Sequence, residues 1–156
     1  VGNKTAYIKK MDELNRKMRE YDIYFAIVMV DINRLKHIND DYGHRSGDVY
    51  IKGCYHMVCE TFKHSPVFRI GGDEFVAVLM GTDYENRMAL VSQLRSDFKK
   101  TYEQEGVSPW LRYSAAVGLA EKSSVDITAE FVFRRADEEM YKDKDRFRSI
   151  YGTDSR

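Results

Sequence analysis

Apolar positions recur along the chain in two rhythms, one of three and four and one of continuous short runs, which predict alternating helices and strands. Over residues 4–21, Ile8, Met11, Leu14, Met18 and Tyr21 form the stripe of an amphipathic helix, with Asn3 or Thr5 as N-cap. Residues 24–30, Tyr-Phe-Ala-Ile-Val-Met-Val, do not alternate and end at Asp31, which predicts a central strand buried on both faces. Residues 33–42 form a short helical or looped segment closed by Gly43-His44. Ser46-Gly47-Asp48 opens a longer helix with Ile51, Cys54, Tyr55, Val58 and Phe62 on one face, and Pro66 stops it.

Val67-Phe68 and Val76-Ala77-Val78-Leu79 flank Gly71-Gly72, the local pattern of a hairpin over residues 67–80. Gly81-Thr82-Asp83 reads as a turn and cap. Residues 84–103 carry a helical stripe of Met88, Val91, Leu94, Phe98 and Tyr102, broken by Gly106 and Pro109. Residues 111–119 predict another strand, with Arg112 and Ser114 on its wetter face, and Trp110 beside it is a packing anchor. Residues 128–145 predict the last helix, capped by Thr128 and buried along Val132, Ala136 and Met140. Without the first and last helices the order is β-α-α-β-β-α-β, an elaborated ferredoxin-like split βαβ arrangement of the α+β class. In that topology the first strand and the hairpin are sheet neighbours.

Composition narrows the classes. A chain of 156 residues, 43% hydrophobic, suits one core and one domain over 1–156. Lys+Arg and Asp+Glu are equal at 25 each, which argues against a nucleic-acid binder working through a general positive field. Cys54 and Cys59 suit neither a zinc knuckle nor a redox pair, and a reduced, cytoplasmic setting is expected. No apolar run approaches membrane-spanning length, so a soluble domain without direct membrane contact is expected. The start at Val1-Gly2-Asn3, without Met, predicts a piece truncated from a longer, multidomain protein.

The chemistry concentrates at Asp73 and Glu74. Adjacent like charges repel, and a bound cation is the most economical reason for them to stand together at a turn. Asp31, at the carboxyl end of a central strand, is either a helix N-cap or a ligand-binding group. If it lies beside the hairpin, three carboxylates converge into a divalent-metal site of the hard-oxygen kind. His37 and His44 look like metal ligands by type, but such a site does not use imidazole, so His44 is read as structural.

These residues resemble the GGDEF domains, the bacterial diguanylate cyclases, through Gly71-Gly72-Asp73-Glu74-Phe75. The segment from Asp31-Ile32-Asn33 through Lys36, Asn39-Asp40 and Tyr42-Gly43-His44 is similar to that family's D-[IM]-[DN]-x-[FL]-K-x-[IV]-N-D-x-[YF]-G-H, with Gly47-Asp48 following at the family spacing. Arg135-Ala136-Asp137 through Met140-Tyr141 and Lys144 resembles its R-A-D-x-A-[LM]-Y-x-A-K helix, and Gly2-Asn3-Lys4 the end of its opening motif. The resemblance covers nearly the whole chain. It implies a palm-type, nucleotide cyclase-like sheet of about five strands, antiparallel-rich and flanked by helices.

It also implies an activity: condensation of two GTP into cyclic di-GMP and two pyrophosphates, with two Mg²⁺ per site and Mn²⁺ as a substitute. Asp31, Glu74, Asp73 and the Ile32 carbonyl would be metal ligands, and Asp73 would alternatively help activate the 3′-hydroxyl. Gly71 and Gly72 would admit ribose and α-phosphate. Backbone N–H groups of Arg34 and Leu35 would cradle the outer phosphates, with Lys36, Lys144 and Arg148 adding positive charge and Arg146 as an alternative to Arg148. Asn39 and Asp48 would read guanine. Without the resemblance, the basic residues read as a solvated face and Asn39 and Asp48 as turn or cap residues.

The implied partners are GTP, a second copy of the domain and an upstream sensory domain in a protein open to membrane anchoring. The family's inhibitory R-x-x-D positions read Phe62-Lys63-His64-Ser65, so product feedback there is expected to be absent. The usual Gly before the last Arg is missing, and Asp143 replaces an Ala. Two other readings use the same residues: an idle GTP-binding regulatory module, and a different palm-type nucleotide cyclase or polymerase-like enzyme.

Overall fold

The computed structural model describes residues 2–152; Val1 and residues 153–156, the ends of the expected 1–156 domain, lie outside them. The elements run α1 (Lys4–Glu20), β1 (Ala26–Ile32), α2 (Leu35–Tyr42), α3 (His44–Thr61), β2 (Val67–Arg69), β3 (Glu74–Leu79), α4 (Gly81–Glu85), α5 (Arg87–Tyr102), a 3-10 turn (Pro109–Leu111), β4 (Ala115–Glu121) and α6 (Ala129–Tyr151). The sheet order is β2-β3-β1-β4, and every neighbouring pair is antiparallel. That is the split βαβ order: α2 and α3 carry the chain from β1 across to β2, and β3 fills the gap between them.

The sheet has four strands among the described residues, not about five. The start of the chain adds only a single bridge from Gly2 to Phe68 on the outer side of β2.

All of β1 is buried, as a central strand covered on both faces must be. Alternation sends Ala26, Val28, Val30 and Ile32 into one core with Tyr50, Cys54, Val58, Leu94 and Phe98. Ile27 and Met29 enter the other, with Met11 and Leu14 of α1 and Val132, Ala136 and Met140 of α6. The same period places Asp31 on the α6 side.

Gly118 explains how α6 seats so closely on the sheet. A Cβ there would lie 2.2 Å from both the Ala136 carbonyl oxygen and the Met140 nitrogen, so only glycine admits the helix backbone. The start of α6 is capped from α1: Asn15 Oδ1 accepts from Ala129 N at 2.7 Å, while Asn15 Nδ2 donates to Glu130. Thr128 stands at the N-cap position without a side-chain bond, which corrects its expected role.

Several predicted faces shift. Ile8, Tyr21 and Met88 are exposed, and Tyr7 instead packs against Phe68 and Phe133. The helix expected over 84–103 is two, because the chain breaks at Asn86. The strand expected over 111–119 starts at Ala115; Pro109 sets a 3-10 turn first, and Ser114 is buried rather than on the wetter face. Trp110 packs against Tyr42, their ring centres 5.3 Å apart. Phe62 is core, and Ser65 Oγ and His64 N both donate to the buried Asp83. No helix among the described residues is long and apolar enough to cross a membrane.

Candidate active site

The site forms where β1 ends. Asp31 and Glu74 are Cα partners in the antiparallel register of β1 and β3, so their side chains leave the sheet on the same face. Ile32 N donates to Asp73 O at 2.8 Å, tying the last turn of the hairpin to the strand end. One carboxylate oxygen from each of Asp31, Asp73 and Glu74 then lies within 4.8 Å of the others.

The hairpin differs in detail from a tight Gly-Gly turn. Residues 70–73 form a longer loop closed by Ile70 N donating to Glu74 O, and neither glycine takes a positive φ. A Cβ on Gly72 would meet nothing within 4 Å, and one on Gly71 would make only ordinary contact with Glu74. The fold itself therefore does not require these glycines; their bareness keeps open space beside the acids. Arg69 braces the loop, its guanidinium donating to the carbonyls of Gly71 (3.2 Å) and Gly72 (2.7 Å).

On the other side of Asp31 the chain turns sharply into α2 through Arg34, the one non-glycine residue with positive φ among the described residues (64°). Tyr50 supports this turn from beneath, its hydroxyl donating to Asn33 O at 2.9 Å. Asn33 Nδ2 donates to Ser114 Oγ at 3.0 Å. The first bond of α2 is Ile38 N to Arg34 O, and no side chain caps the helix, so the N–H groups of its first turn remain open to an anion.

Asn39 lies between α2 and α3 in space that Gly47 leaves empty: a Cβ on Gly47 would fall 1.7 Å from Asn39 Oδ1. Asp48 is the next residue and is exposed. Lys36 is exposed on the first turn of α2. His37 pairs with Asp41 at 3.1 Å along α2.

From α6, Lys144 reaches the acids. Its Nζ lies 2.6 Å from Asp31 Oδ1 and 3.4 Å from the Ile32 carbonyl oxygen. Arg148, one turn on, is exposed and stands 3.9 Å from Asp145. Arg146 points elsewhere, pairing with Asp143 at 3.1 Å in a trough between α5 and α6.

The electrostatics follow from crowding. Burial raises the Asp31 carboxyl above the usual carboxylate range, opposed by Lys144 and reinforced by Asp73 and Asp137. Burial also raises Glu74, with Asp31, Asp73 and Asp137 adding to it. Asp137, itself raised by burial, and Tyr141, raised first by Asp137, thus belong to the same electrostatic neighbourhood. Neither is among the residues to which the sequence motifs assign a role. The signal was present: residues 137, 141, 144 and 148 repeat at helical spacing on one face of α6.

A hard divalent cation fits this donor set. Three carboxylates converge, and the Ile32 carbonyl beside them already accepts from a cationic group, the Lys144 ammonium. The uncapped start of α2 offers an anion a place next to such a cation.

Comparisons with known proteins bear on the family and the fold. The family model described as diguanylate cyclase, GGDEF domain, matches residues 1–149. An uncharacterized membrane protein of Staphylococcus aureus (strain USA300) is 26% identical over 154 residues, 96% of this chain but only 42% of the relative's length. Among solved structures, the GGDEF domain of DgcB from Caulobacter crescentus, in complex with c-di-GMP, superimposes with a TM-score of 0.77 at 20% identity, covering 92% of this chain and 85% of that one. The active GGEEF domain of a diguanylate cyclase from Vibrio cholerae gives 0.76 at 24% identity, over 93% and 91% of the two chains.

Proposed function

The chain belongs to the diguanylate cyclase GGDEF-domain family, and from that premise we propose that it condenses two GTP molecules into cyclic di-GMP. The observation that carries this reading is the convergence of Asp31, Asp73 and Glu74 within 4.8 Å, beside an open helix start and a bare glycine loop. In each of two equivalent steps a ribose 3′-oxygen forms a bond to an α-phosphorus. The bond from that phosphorus to the pyrophosphate oxygen breaks, and the hydroxyl proton passes to a base. Mg²⁺, when bound, would activate the hydroxyl and neutralise charge on the leaving oxygens.

The residues divide that work. Asp31, Glu74 and the Ile32 carbonyl would hold metal; Asp73 would add a ligand or take the 3′-hydroxyl proton. The N–H groups of Arg34 and Leu35 would hold the outer phosphates, with Lys36, Lys144 and Arg148 supplying positive charge. Gly71 and Gly72 would let ribose and α-phosphate approach, while Arg69 keeps their loop in shape. Asn39 and Asp48 would read guanine, the Asp48 carboxylate accepting from its N1–H and N2–H₂ and so rejecting adenine.

One such site holds one GTP, so the product requires two copies face to face. The domain is proposed to act on the cytoplasmic side of a longer protein that carries a sensory part, in keeping with a relative described as a membrane protein.

The test is mass-spectrometric assay of purified protein with GTP and Mg²⁺, or Mn²⁺, over a range of protein concentrations. Cyclic di-GMP forming at a rate that rises faster than linearly supports the reading. Tight GTP binding without product, even when the chain is fused to a dimerising module, overturns it in favour of an idle regulatory module. A different cyclic or linear nucleotide product would assign another palm-type enzyme.

A further inference from the structure

The ion pair of Lys144 with Asp31 occupies a telling place. Both side chains are nearly buried, at 12% and 11% exposure, and the ammonium also approaches the Ile32 carbonyl. Those two oxygens, the Asp31 carboxylate and the Ile32 carbonyl, are the ones to which the cyclase reading assigns a metal. The lysine that the same reading assigns to the phosphates is therefore held on the metal's ligands.

We propose that Lys144 is an internal cation of the resting site, and that loading requires its transfer from Asp31 and the Ile32 carbonyl to the nucleotide phosphates. The inference rests on the cyclase reading and adds a coupling to it. A divalent cation arriving alone must either sit beside the ammonium or expel it to water, which breaks a nearly buried pair. Arriving with a triphosphate, it frees an ammonium that has a new anion to meet. Metal and nucleotide then each strengthen the binding of the other.

Lysine suits this role. Its charge is compact and rides on a flexible four-carbon stem. The seat of α6 on Gly118 fixes where that stem begins, so the ammonium moves while the helix stays. Asp137 and Tyr141, earlier on the same helix face, place a further acid near the exchange.

The experiment is titration of the whole chain with Mn²⁺, followed by electron paramagnetic resonance of the free ion. It is run with and without saturating 3′-deoxy-GTP, which lacks the attacking hydroxyl. Wild type is compared with Lys144→Met and Lys144→Arg, each checked for folding by thermal melting, with Lys144→Gln replacing Lys144→Met if that variant does not fold.

Without nucleotide, Lys144→Met should bind Mn²⁺ about tenfold more tightly than wild type, the scale of one unit charge removed at close range in a partly screened site. Lys144→Arg should keep the wild-type affinity. The gain in Mn²⁺ affinity on adding 3′-deoxy-GTP should be smaller in Lys144→Met than in wild type. Equal or weaker Mn²⁺ affinity in Lys144→Met, or Lys144→Arg behaving like Lys144→Met, overturns the inference alone. If none of the proteins binds Mn²⁺ even with 3′-deoxy-GTP, the cyclase reading falls with it.

Discussion

Arg95 and Asp143, 3.8 Å apart on two different helices, together take both backbone groups of Val117 on the open side of the sheet. Arg95 donates to the Val117 carbonyl at 2.6 Å, and Val117 N donates to Asp143 Oδ2 at 2.7 Å. β4 is an edge strand, and its free N–H and C=O groups would otherwise invite another strand. Here an ion pair occupies the rung that a fifth strand would have used.

Asp143→Ala, the family's usual residue at that position, should therefore lower stability. The Val117 N–H would lose its acceptor and Arg95 its counter-charge, a loss of about 1–2 kcal/mol. Urea denaturation measures the loss. Light scattering on warming should show earlier association than in wild type, and an unchanged midpoint would show that water replaces the carboxylate at no cost.

Gly118→Ala is expected to be the most damaging single-methyl change in the molecule. The added carbon would meet two backbone atoms of α6 at 2.2 Å, and no side chain can rotate away to relieve it. A cost of about 3 kcal/mol, the upper range for overpacking, is expected together with weaker GTP binding, because α6 carries Lys144. Thermal melting and nucleotide titration of the soluble fraction would read both.

Glu74→Gln should abolish turnover and yet stabilise the protein at neutral pH. Burial, then Asp31, Asp73 and Asp137, raise the Glu74 carboxyl, so the folded form holds that proton more tightly than the unfolded form does. Stability from this group is present at pH below the ordinary carboxylate value and is lost as pH rises through the raised one. The variant should thus melt slightly above wild type at neutral pH. The gap should close in acid. An equal gap at all pH values would assign the effect to packing instead.

Gly47→Ala and Asp48→Ala should separate two parts of base recognition. The first would push on the Asn39 amide across the α2–α3 junction, raising KM for GTP by about tenfold while kcat changes little. The second would leave that contact in place and chiefly narrow the preference for GTP over ATP. Steady-state kinetics with both nucleotides decides. A Gly47→Ala enzyme with normal KM would mean that Asn39 moves aside freely.

Parts of this molecule were plain in the chain. The continuous run before Asp31 could only be a doubly covered strand, and the split βαβ order brought Asp31 to Glu74. The interior of α6 followed from Val132, Ala136 and Met140. Other features depend on distant partners and leave no local trace. Asp143 looked like an oddity because its partner, the outer edge of β4, lies 26 residues earlier. Asn15 gives no hint that it caps a helix 114 residues on. Ile8 and Tyr21 fit the stripe of α1 by spacing, but Tyr7, one position earlier, takes the inward place against Phe68 and Phe133, and Tyr21 stands beyond the helix as its C-cap.

Lys144 is made 113 residues after the Asp31 that it pairs with, and β4, the second neighbour of β1, comes almost as late. During synthesis β1 and its Asp31 are thus made well before the elements that cover and pair with them. Until α6 leaves the ribosome, β1 lacks the cover of that helix and Asp31 lacks its cation, so the proposed site is among the last parts of the domain to be completed.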